Sequence, residues 1–302
     1  MKQILLLTFL LFTIGSLNAQ DQDSTTTNQP PKIWTSNGNL LGNISGVSLN
    51  NWSAGGSSSI SYEIGLLYNI NRDTKISLWK TQFDLGYGRT YLQDTEFPNR
   101  KSQDRLIINT NYTYKLTKHW GVAALVNFQT QFDTGVQFTD NDTGGLDEKE
   151  ISYFMAPAYL TPSIGMQYNK GEELSILLAP VAGKMTFVLS DTLSNQGAYG
   201  VKEGKKFRSE IGPNIYATYN KEVLKNTVIN TTLILFADYK RISEIDVNWK
   251  FDLVLKVNEY FNTSFGTQLI YDEDIDVPRD EGGLGPALQA RFALSIGINL
   301  GI

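Results

Sequence analysis

Few residues in this chain are suited to catalysis, and the histidine is the first to consider. The 302 residues include one His, at position 119, and no Cys. His119 lies in Thr117-Lys118-His119-Trp120, a short polar segment that predicts a turn. A serine triad uses His as its base, a thiol nucleophile requires Cys, and a typical zinc site requires several of either. We therefore predict no enzyme activity, no catalytic residue and no cofactor, and we interpret His119 as a turn or girdle residue.

The second chemical feature is a set of charged residues that alternate with apolar ones and would share the inner face of a barrel. They are Glu63, Lys80, Asp84, Arg105, Lys115, Glu210, Asp238, Asp246, Lys250, Asp252 and Lys256. Such residues can line a narrow pore of mixed polarity, or they can pair across strands and fill the lumen. Lys80 with Asp84, and Lys250 with Asp252 and Lys256, are spaced to neutralise one another. We favour a filled or narrow lumen over a wide pore and, because both signs occur, expect no strong ion preference if the barrel conducts.

A third feature is acidic: Asp140–Glu148 resembles a calcium-binding loop, and Asp272–Asp276 is a second acidic segment. Gly144 stands at the fifth position of the loop, where an oxygen ligand is expected, and Ile151 at the twelfth, where Glu is needed. A solvated acidic loop fits these departures better than a calcium site. We therefore predict no metal site.

The elements that would position these residues are predicted from a period-two alternation of apolar and polar side chains, which is typical of strands. About twelve such stretches follow one another. They begin near Leu41, Ser59, Trp79, Arg105, Trp120, Tyr153, Leu174, Glu210, Ile229, Ile245, Phe261 and Arg291. Pro157 and Pro162 predict bends in the sixth strand, and a change of parity in the seventh predicts a β-bulge near Ala182-Gly183.

The last strand shows the pattern most clearly. One face carries Phe292, Leu294, Ile296, Ile298, Leu300 and Ile302, whereas the other carries small or polar residues. An exposed terminal strand of this kind invites aggregation in a soluble protein, but a membrane barrel pairs its edge and places the apolar face in lipid. The predicted connections also alternate between short and long, as in outer-membrane barrels, with one exception: Lys240–Glu244 should be a long outer loop and is brief. We predict an all-β, antiparallel, up-and-down transmembrane barrel of about twelve strands.

The remaining regions set the predicted compartment and domain organisation. Residues 1–19 have the charged start and apolar core of a signal peptide, and residues 20–39 are predicted to be a disordered periplasmic lead before a barrel over 40–302. Trp52, in Asn51–Gly56, is interpreted as an anchor at the outer lipid boundary, with a constriction of the barrel mouth as the alternative. The net charge of −5 argues against nucleic-acid binding.

Several segments resemble a Bacteroidota family of secreted, barrel-predicted proteins that is classed as a domain of unknown function. The segments are Ser48–Gly56, Thr130–Gly135, Phe154–Leu160, Gly197–Val201 and Ile270–Asp272. The resemblance covers most of the chain from about Trp34 to Ile302. It implies a barrel in the outer membrane and transfers no catalytic or ligand-binding residue.

The function predicted from these observations is a narrow passive pore, or a structural or accessory role in the outer membrane. The expected partners are outer-membrane lipid, the barrel-assembly machinery and, for a pore, a small hydrophilic solute. An outer-membrane lipid-modifying enzyme is the alternative from another class, and it lacks a usable His. A soluble periplasmic binding barrel is a further alternative, and it would need the reverse distribution, with apolar residues inside and polar residues outside.

Overall fold

The computed structural model describes residues 33–49, 57–93, 95–141, 144–275, 277–278 and 283–301. Twelve of its strands form one closed antiparallel barrel. These strands are β1 (Trp34–Val47), β2 (Ser59–Asp73), β3 (Ser77–Leu92), β4 (Asn99–Lys115), β5 (Trp120–Thr130), β8 (Ala158–Lys170), β9 (Leu174–Phe187), β10 (Phe207–Leu224), β11 (Thr227–Ala237), β12 (Ile245–Lys256), β13 (Phe261–Tyr271) and β16 (Gln289–Gly301). Two hairpins lie outside it, β6 (Gly135–Asp140) with β7 (Leu146–Ser152) and β14 (Val277–Pro278) with β15 (Leu284–Gly285), together with a short helix α1 (Asp191–Asn195) and a 3₁₀ turn Ala198–Gly200.

The barrel is of the up-and-down kind, because each barrel strand pairs with the barrel strands that precede and follow it in the chain. The β6–β7 hairpin is an excursion between β5 and β8, which pair directly. The sequence predicted a long loop there and missed the hairpin. The prediction of a closed, antiparallel barrel of about twelve strands is confirmed.

The closing contact between β1 and β16 is short. It runs from Asn39↔Gly301 to Asn43↔Gly297, whereas β1 pairs with β2 along its whole length, from Trp34↔Arg72 to Val47↔Ser59. Within the described residues, the part of β1 beyond Asn43 therefore pairs with β2 alone. We call the β1–β16 contact the closing seam.

Several predictions fall on residues that the structure does not describe. The signal peptide, most of the lead, the segment 50–56 with Trp52, and Ile302 all lie outside the described residues. At the near edge of the lead, β1 begins at Trp34, so that strand pairing includes residues 34–39, which the polar composition had assigned to the lead.

The outer face of the barrel carries the large apolar residues that alternation had placed there. Ile44, Ile64, Ile211, Leu294 and Ile296 are each more than half exposed, with Leu294 reaching 75%. The polar partners in the alternation face the interior, as the contacts below show. Among the described residues, no helix is long and apolar enough to cross a membrane.

One strand changes its facing partway along. In β9, Leu177 and Ala179 are buried on the inside, Pro180 and Val181 are both exposed, and Ala182 is buried again. The pairing of β9 with β8 and with β10 shifts by one residue at this point. This is the predicted β-bulge, displaced by two residues toward Pro180. Odd-numbered residues of β9 face inward before the bulge, and even-numbered residues face inward beyond it.

The two ends of the barrel differ in their connections. One end has the short turns 74–76, 116–119, 171–173, 225–226 and 257–260. The other end has the connections 48–58, 93–98, 131–157, 188–206, 238–244 and 272–288. We call these the short-turn end and the long-loop end. The sixth predicted strand starts at Ala158 rather than Tyr153, because residues 153–157 form a turn at the long-loop end.

Candidate functional site in the barrel lumen

The centre of the lumen is organised around Arg105 of β4. Its Nε donates to Asp84 Oδ1 on β3 at 2.7 Å, and its Nη1 donates to Glu63 Oε1 on β2 at 3.1 Å. The three residues come from three adjacent strands, and their side chains are largely buried. A guanidinium with two carboxylate partners forms charge-assisted hydrogen bonds, which are stronger than neutral ones.

Two glycines allow Arg105 to lie flat against the barrel wall. Gly86 is the cross-strand neighbour of Arg105, and Gly65 is the neighbour of Gly86 on the next strand. A Cβ atom on Gly86 would lie 2.5 Å from Cζ of Arg105, which is closer than side chains tolerate. The sequence showed these glycines only as small residues on the inner face.

Lys250 of β12 reaches the same network from the far side of the barrel. Its Nζ lies 3.8 Å from Asp84 Oδ2 and 3.5 Å from Asp252 Oδ2. Around the closed sheet, β12 and β3 are five steps apart through β13, β16, β1 and β2, and six steps would be diametrically opposite. The pair Lys250–Asp84 therefore bridges the lumen. We call the residues Glu63, Asp84, Arg105, Lys250 and Asp252 the lumen bridge.

An apolar cluster on the inside of the barrel joins β5 and β9, which lie on either side of β8. Ala123 and Leu125 of β5 and Leu177 and Ala179 of β9 are almost fully buried, and Tyr216 of β10 packs against them. The sequence interpretation treated the inner face as polar and missed this cluster. The available signal was that Leu125 and Leu177 are large apolar residues at inward positions of their strands.

A second ion-pair network lies toward the long-loop end. Lys184 Nζ of β9 contacts Asp246 Oδ2 at 2.6 Å and Asp272 Oδ2 at 2.5 Å. Lys184 was not among the predicted lumen residues, and it faces inward because it follows the β9 bulge. This network holds β9, β12 and the start of the 272–288 connection together.

Arg208 and Arg241 extend this second network from β10 to two connections, 238–244 and 272–288. Arg208 Nη2 donates to Glu210 Oε1 at 2.7 Å and also to Asp274. Arg241 donates to Asp274 Oδ1 at 2.9 Å and to Glu244 Oε2 at 2.5 Å. We call Lys184, Arg208, Glu210, Arg241, Asp246, Asp272 and Asp274 the mouth network.

The charges of the mouth network set the protonation of its loop residues. Burial tends to raise the pKa of Asp274, but hydrogen bonds from Arg208 and Arg241 and their positive charges outweigh it, so the pKa is lowered. The hydrogen bond with Asp274 raises the pKa of Arg241. Both groups are therefore charged at neutral pH, and the ion pair between them is fully formed.

The connections at the long-loop end have a small apolar core of their own. Ala156, Val188, Leu193 and Val201 are buried together. Tyr199 packs against them, and its hydroxyl donates to the carbonyl oxygen of Ile151. Burial raises the pKa of Tyr199 to about 12, so this phenol stays neutral and remains a donor. The loops at this end are thus tied to one another.

The predicted charged residues divide among these places. Glu63, Asp84, Arg105, Lys250 and Asp252 belong to the lumen bridge, and Glu210 and Asp246 belong to the mouth network. Lys115 lies at the short-turn end and pairs with Asp73. Lys80 and Lys256 share the inward parity of their strands, but neither forms an ion pair with another described residue. Asp84 takes Arg105 and Lys250 as partners instead of the expected Lys80.

The other chemical candidates have ordinary surroundings. His119 lies in the turn between β4 and β5, where its Nδ1 is 3.0 Å from the carbonyl oxygen of Asn169. The acidic segment Asp140–Glu148 forms the turn and second strand of the β6–β7 hairpin, with residues 142–143 outside the described part. Over the described ranges, no group of three or more His, Cys, Asp or Glu residues is arranged to hold a metal ion.

Comparison with known proteins gives a family match over part of the chain. A family described as "Protein of unknown function (DUF3078)" matches residues 44–136. That a domain of unknown function is present is therefore confirmed, whereas an origin in Bacteroidota and secretion remain predictions. No curated protein matches the chain in sequence.

Solved structures with similar strand arrangements include outer-membrane proteins. An outer membrane channel of the COG4313 group from Pseudomonas putida F1 has 12% identity and a TM-score of 0.39, with 90% of this chain and 99% of that chain covered. The translocator domain of the autotransporter NalP from Neisseria meningitidis has 8% identity and a TM-score of 0.39, with 91% and 89% covered. The NanC porin has 10% identity and a TM-score of 0.36, with 87% and 98% covered. At such identities and TM-scores these likenesses carry no argument about the function of this chain.

Proposed function

We propose that this chain is an outer-membrane β-barrel that acts as a narrow, passive pore for small hydrophilic solutes and has no catalytic activity. The apolar outer face supports the membrane location, because a barrel in water would bury such residues rather than expose them. The separation of short turns from long loops supports it as well, with the short turns on the periplasmic side. The implied partners are outer-membrane lipid and the barrel-assembly machinery.

The observation that carries the proposal is the contact between Lys250 and Asp84 across the lumen. A twelve-stranded barrel without side chains in its lumen would be wide enough for a water-filled channel. Here two opposite walls are joined by an ion pair, and Arg105 adds a third charged group at the same level. Only a small hydrophilic solute or an ion fits past such a constriction.

Conductance of the purified barrel in planar lipid bilayers tests this proposal. The wild-type protein is expected to give small unitary currents. Lys250→Ala is expected to increase the unitary conductance, because the side chain that bridges the lumen is removed while Arg105 still neutralises Asp84.

Lys256→Ala is the matched control, since Lys256 lies on the same strand and face but forms no ion pair with another described residue. Its conductance should equal that of the wild type. A large wild-type conductance that Lys250→Ala leaves unchanged would contradict a narrow pore that is limited at the bridge.

A structural or accessory role is the second candidate, and the apolar cluster around Leu125 and Leu177 favours it. Buried leucines inside a barrel stabilise its wall and exclude water from that side of the lumen. If neither the wild type nor Lys250→Ala conducts, the lumen is filled and the structural role is preferred. A soluble binding barrel fits less well, because the larger apolar surface of this barrel lies outside.

A further inference from the structure

The turn formed by residues 153–156 at the long-loop end has unusual geometry. Tyr153 and Ala156 exchange both of their backbone hydrogen bonds, at 2.7 and 2.9 Å. Met155 between them has φ of 58°, a left-handed conformation that residues other than glycine rarely adopt. Such strain persists only where the surroundings hold it in place, and it is concentrated at binding sites.

Residues from two other parts of the chain hold this turn. Thr130 Oγ1 accepts from the Met155 amide at 3.1 Å, and the Leu189 amide donates to the Met155 carbonyl at 3.0 Å. Gln131 Nε2 donates to the carbonyls of Tyr153 and Ala156 at 2.8 and 3.1 Å. The conformation of the turn is therefore fixed from both sides before anything binds.

The turn presents its side chains to an open cleft. Tyr153, Phe154 and Leu189 line this cleft, with Glu150 and Ser190 at its polar edge, and its volume is about 400 Å³. The three apolar side chains are each nearly half exposed. Rigid aromatic residues that are held exposed are typical of binding surfaces, and the volume is in the range of small-ligand sites.

The occupant follows from the position of the cleft on the barrel wall. Leu189 lies two residues beyond Phe187, whose ring packs against the exposed Phe207 with centroids 5.2 Å apart. From Phe207 toward the short-turn end, the outer face of β10 continues with the exposed Ile211. The cleft thus continues, at the long-loop end, the apolar outer wall that is proposed to face lipid.

We infer that this cleft binds an acyl chain of an outer-leaflet lipid, an inference that rests on the proposed membrane location. The acidic Glu150, which accepts a hydrogen bond from Ser190 at 3.1 Å, disfavours a phosphate group at the edge of the cleft. The apolar lining therefore takes the chain of the lipid and leaves the headgroup outside.

Spin labelling tests the inference directly, because a chain without Cys accepts single labels cleanly. Phe154→Cys, Ile211→Cys and Glu148→Cys would be labelled and reconstituted in dioleoylphosphatidylcholine vesicles. Oxygen, which partitions into lipid, and a water-soluble nickel chelate would report the surroundings of each label. The Phe154 and Ile211 labels should favour oxygen, and the exposed Glu148 label on β7 should favour nickel.

The controls distinguish a wrong acyl-chain inference from a wrong membrane location. If the Ile211 label favours oxygen and the Phe154 label favours nickel, the cleft faces water, and the acyl-chain inference is wrong while the membrane location stands. If both labels favour nickel, the membrane location itself is wrong.

Native mass spectrometry shows whether the cleft binds a lipid molecule or only lies within the lipid phase of the membrane. Wild-type protein should keep a phosphatidylcholine molecule through delipidation, and the double variant Phe154→Ala, Leu189→Ala should lose it. Leu224→Ala removes an apolar side chain exposed at the opposite end and should retain lipid as the wild type does. Equal retention by all three proteins would overturn the inference.

Discussion

At the scale of single residues, the contact between Arg105 and Gly86 leaves no room for a side chain at position 86. The guanidinium carbon lies only 2.5 Å from where a Cβ atom of residue 86 would be, and its partners Glu63 and Asp84 prevent it from moving freely. A glycine on the inner face is therefore needed for close approach and not for a turn.

We expect Gly86→Val to lower the free energy of unfolding by about 1–3 kcal/mol, because the new side chain displaces Arg105 from its carboxylates. The measurement is thermal unfolding of the detergent-folded barrel. Gly42→Val is the control, since a Cβ at Gly42 meets no atom within 4 Å. Equal effects of the two substitutions would mean that Arg105 adapts without cost.

Asp274 gives a pH dependence with a definite sign. Its pKa is lowered in the folded protein, so its contribution to stability is complete above the ordinary carboxyl value and is lost as the pH falls through the lowered pKa. Asp274→Asn should destabilise the barrel by about 1–3 kcal/mol at pH 7, because Arg208 and Arg241 lose a charged partner. The difference between variant and wild type should shrink below about pH 4. Melting temperatures measured from pH 3 to 7 check this, and a difference that stays constant over that range would contradict it.

At the scale of elements, the β9 bulge lets Lys184 face inward although four residues, an even number, separate it from the inward-facing Ala179. Pro180 and Val181 both point outward, so the strand beyond them keeps Lys184 inside with Asp246 and Asp272. Removing one residue from the bulge would make the alternation regular and keep Lys184 inside. Removing two would place Lys184 on the outer face.

We expect deletion of Val181 alone to be tolerated, because it removes the bulge but leaves Lys184 facing inward. Deletion of Pro180 and Val181 together should prevent assembly, because Lys184 then faces lipid and the mouth network loses its lysine. The fraction of heat-modifiable protein on gels measures assembly. Full assembly of the double deletion would show that the bulge does not set the facing of the strand.

The sequence predicted the strands well and their contacts only in part, for physical reasons that differ between residues. Alternation with period two reports which face a residue occupies, and so Glu63, Asp84 and Arg105 could be placed on one face. It does not report which side chains meet across the lumen, and so Lys250 was expected to pair only along its own strand. Lys184 was missed because its facing depends on a bulge, and Leu125 because an apolar residue inside a barrel breaks the simple rule of a polar lumen.

At the scale of the whole molecule, the interior is divided between two kinds of contact. Ion pairs join β2, β3, β4 and β12, and an apolar cluster joins β5, β9 and β10. A barrel filled in this way resists collapse and leaves little room for solutes. The proposed narrow pore therefore depends on the few side chains of the lumen bridge rather than on the number of strands.

The closing seam has a consequence for how the barrel comes apart. Among the described residues, only the stretch from Asn39↔Gly301 to Asn43↔Gly297 joins the first strand to the last, whereas β16 pairs with β13 from Phe261↔Ile298 to Ile270↔Gln289. A region with few backbone hydrogen bonds opens at a lower free energy than the rest of the structure. A barrel pulled by its ends should therefore unzip from the β1–β16 boundary and peel strand by strand, and the closure of that boundary should be the last event when the barrel forms.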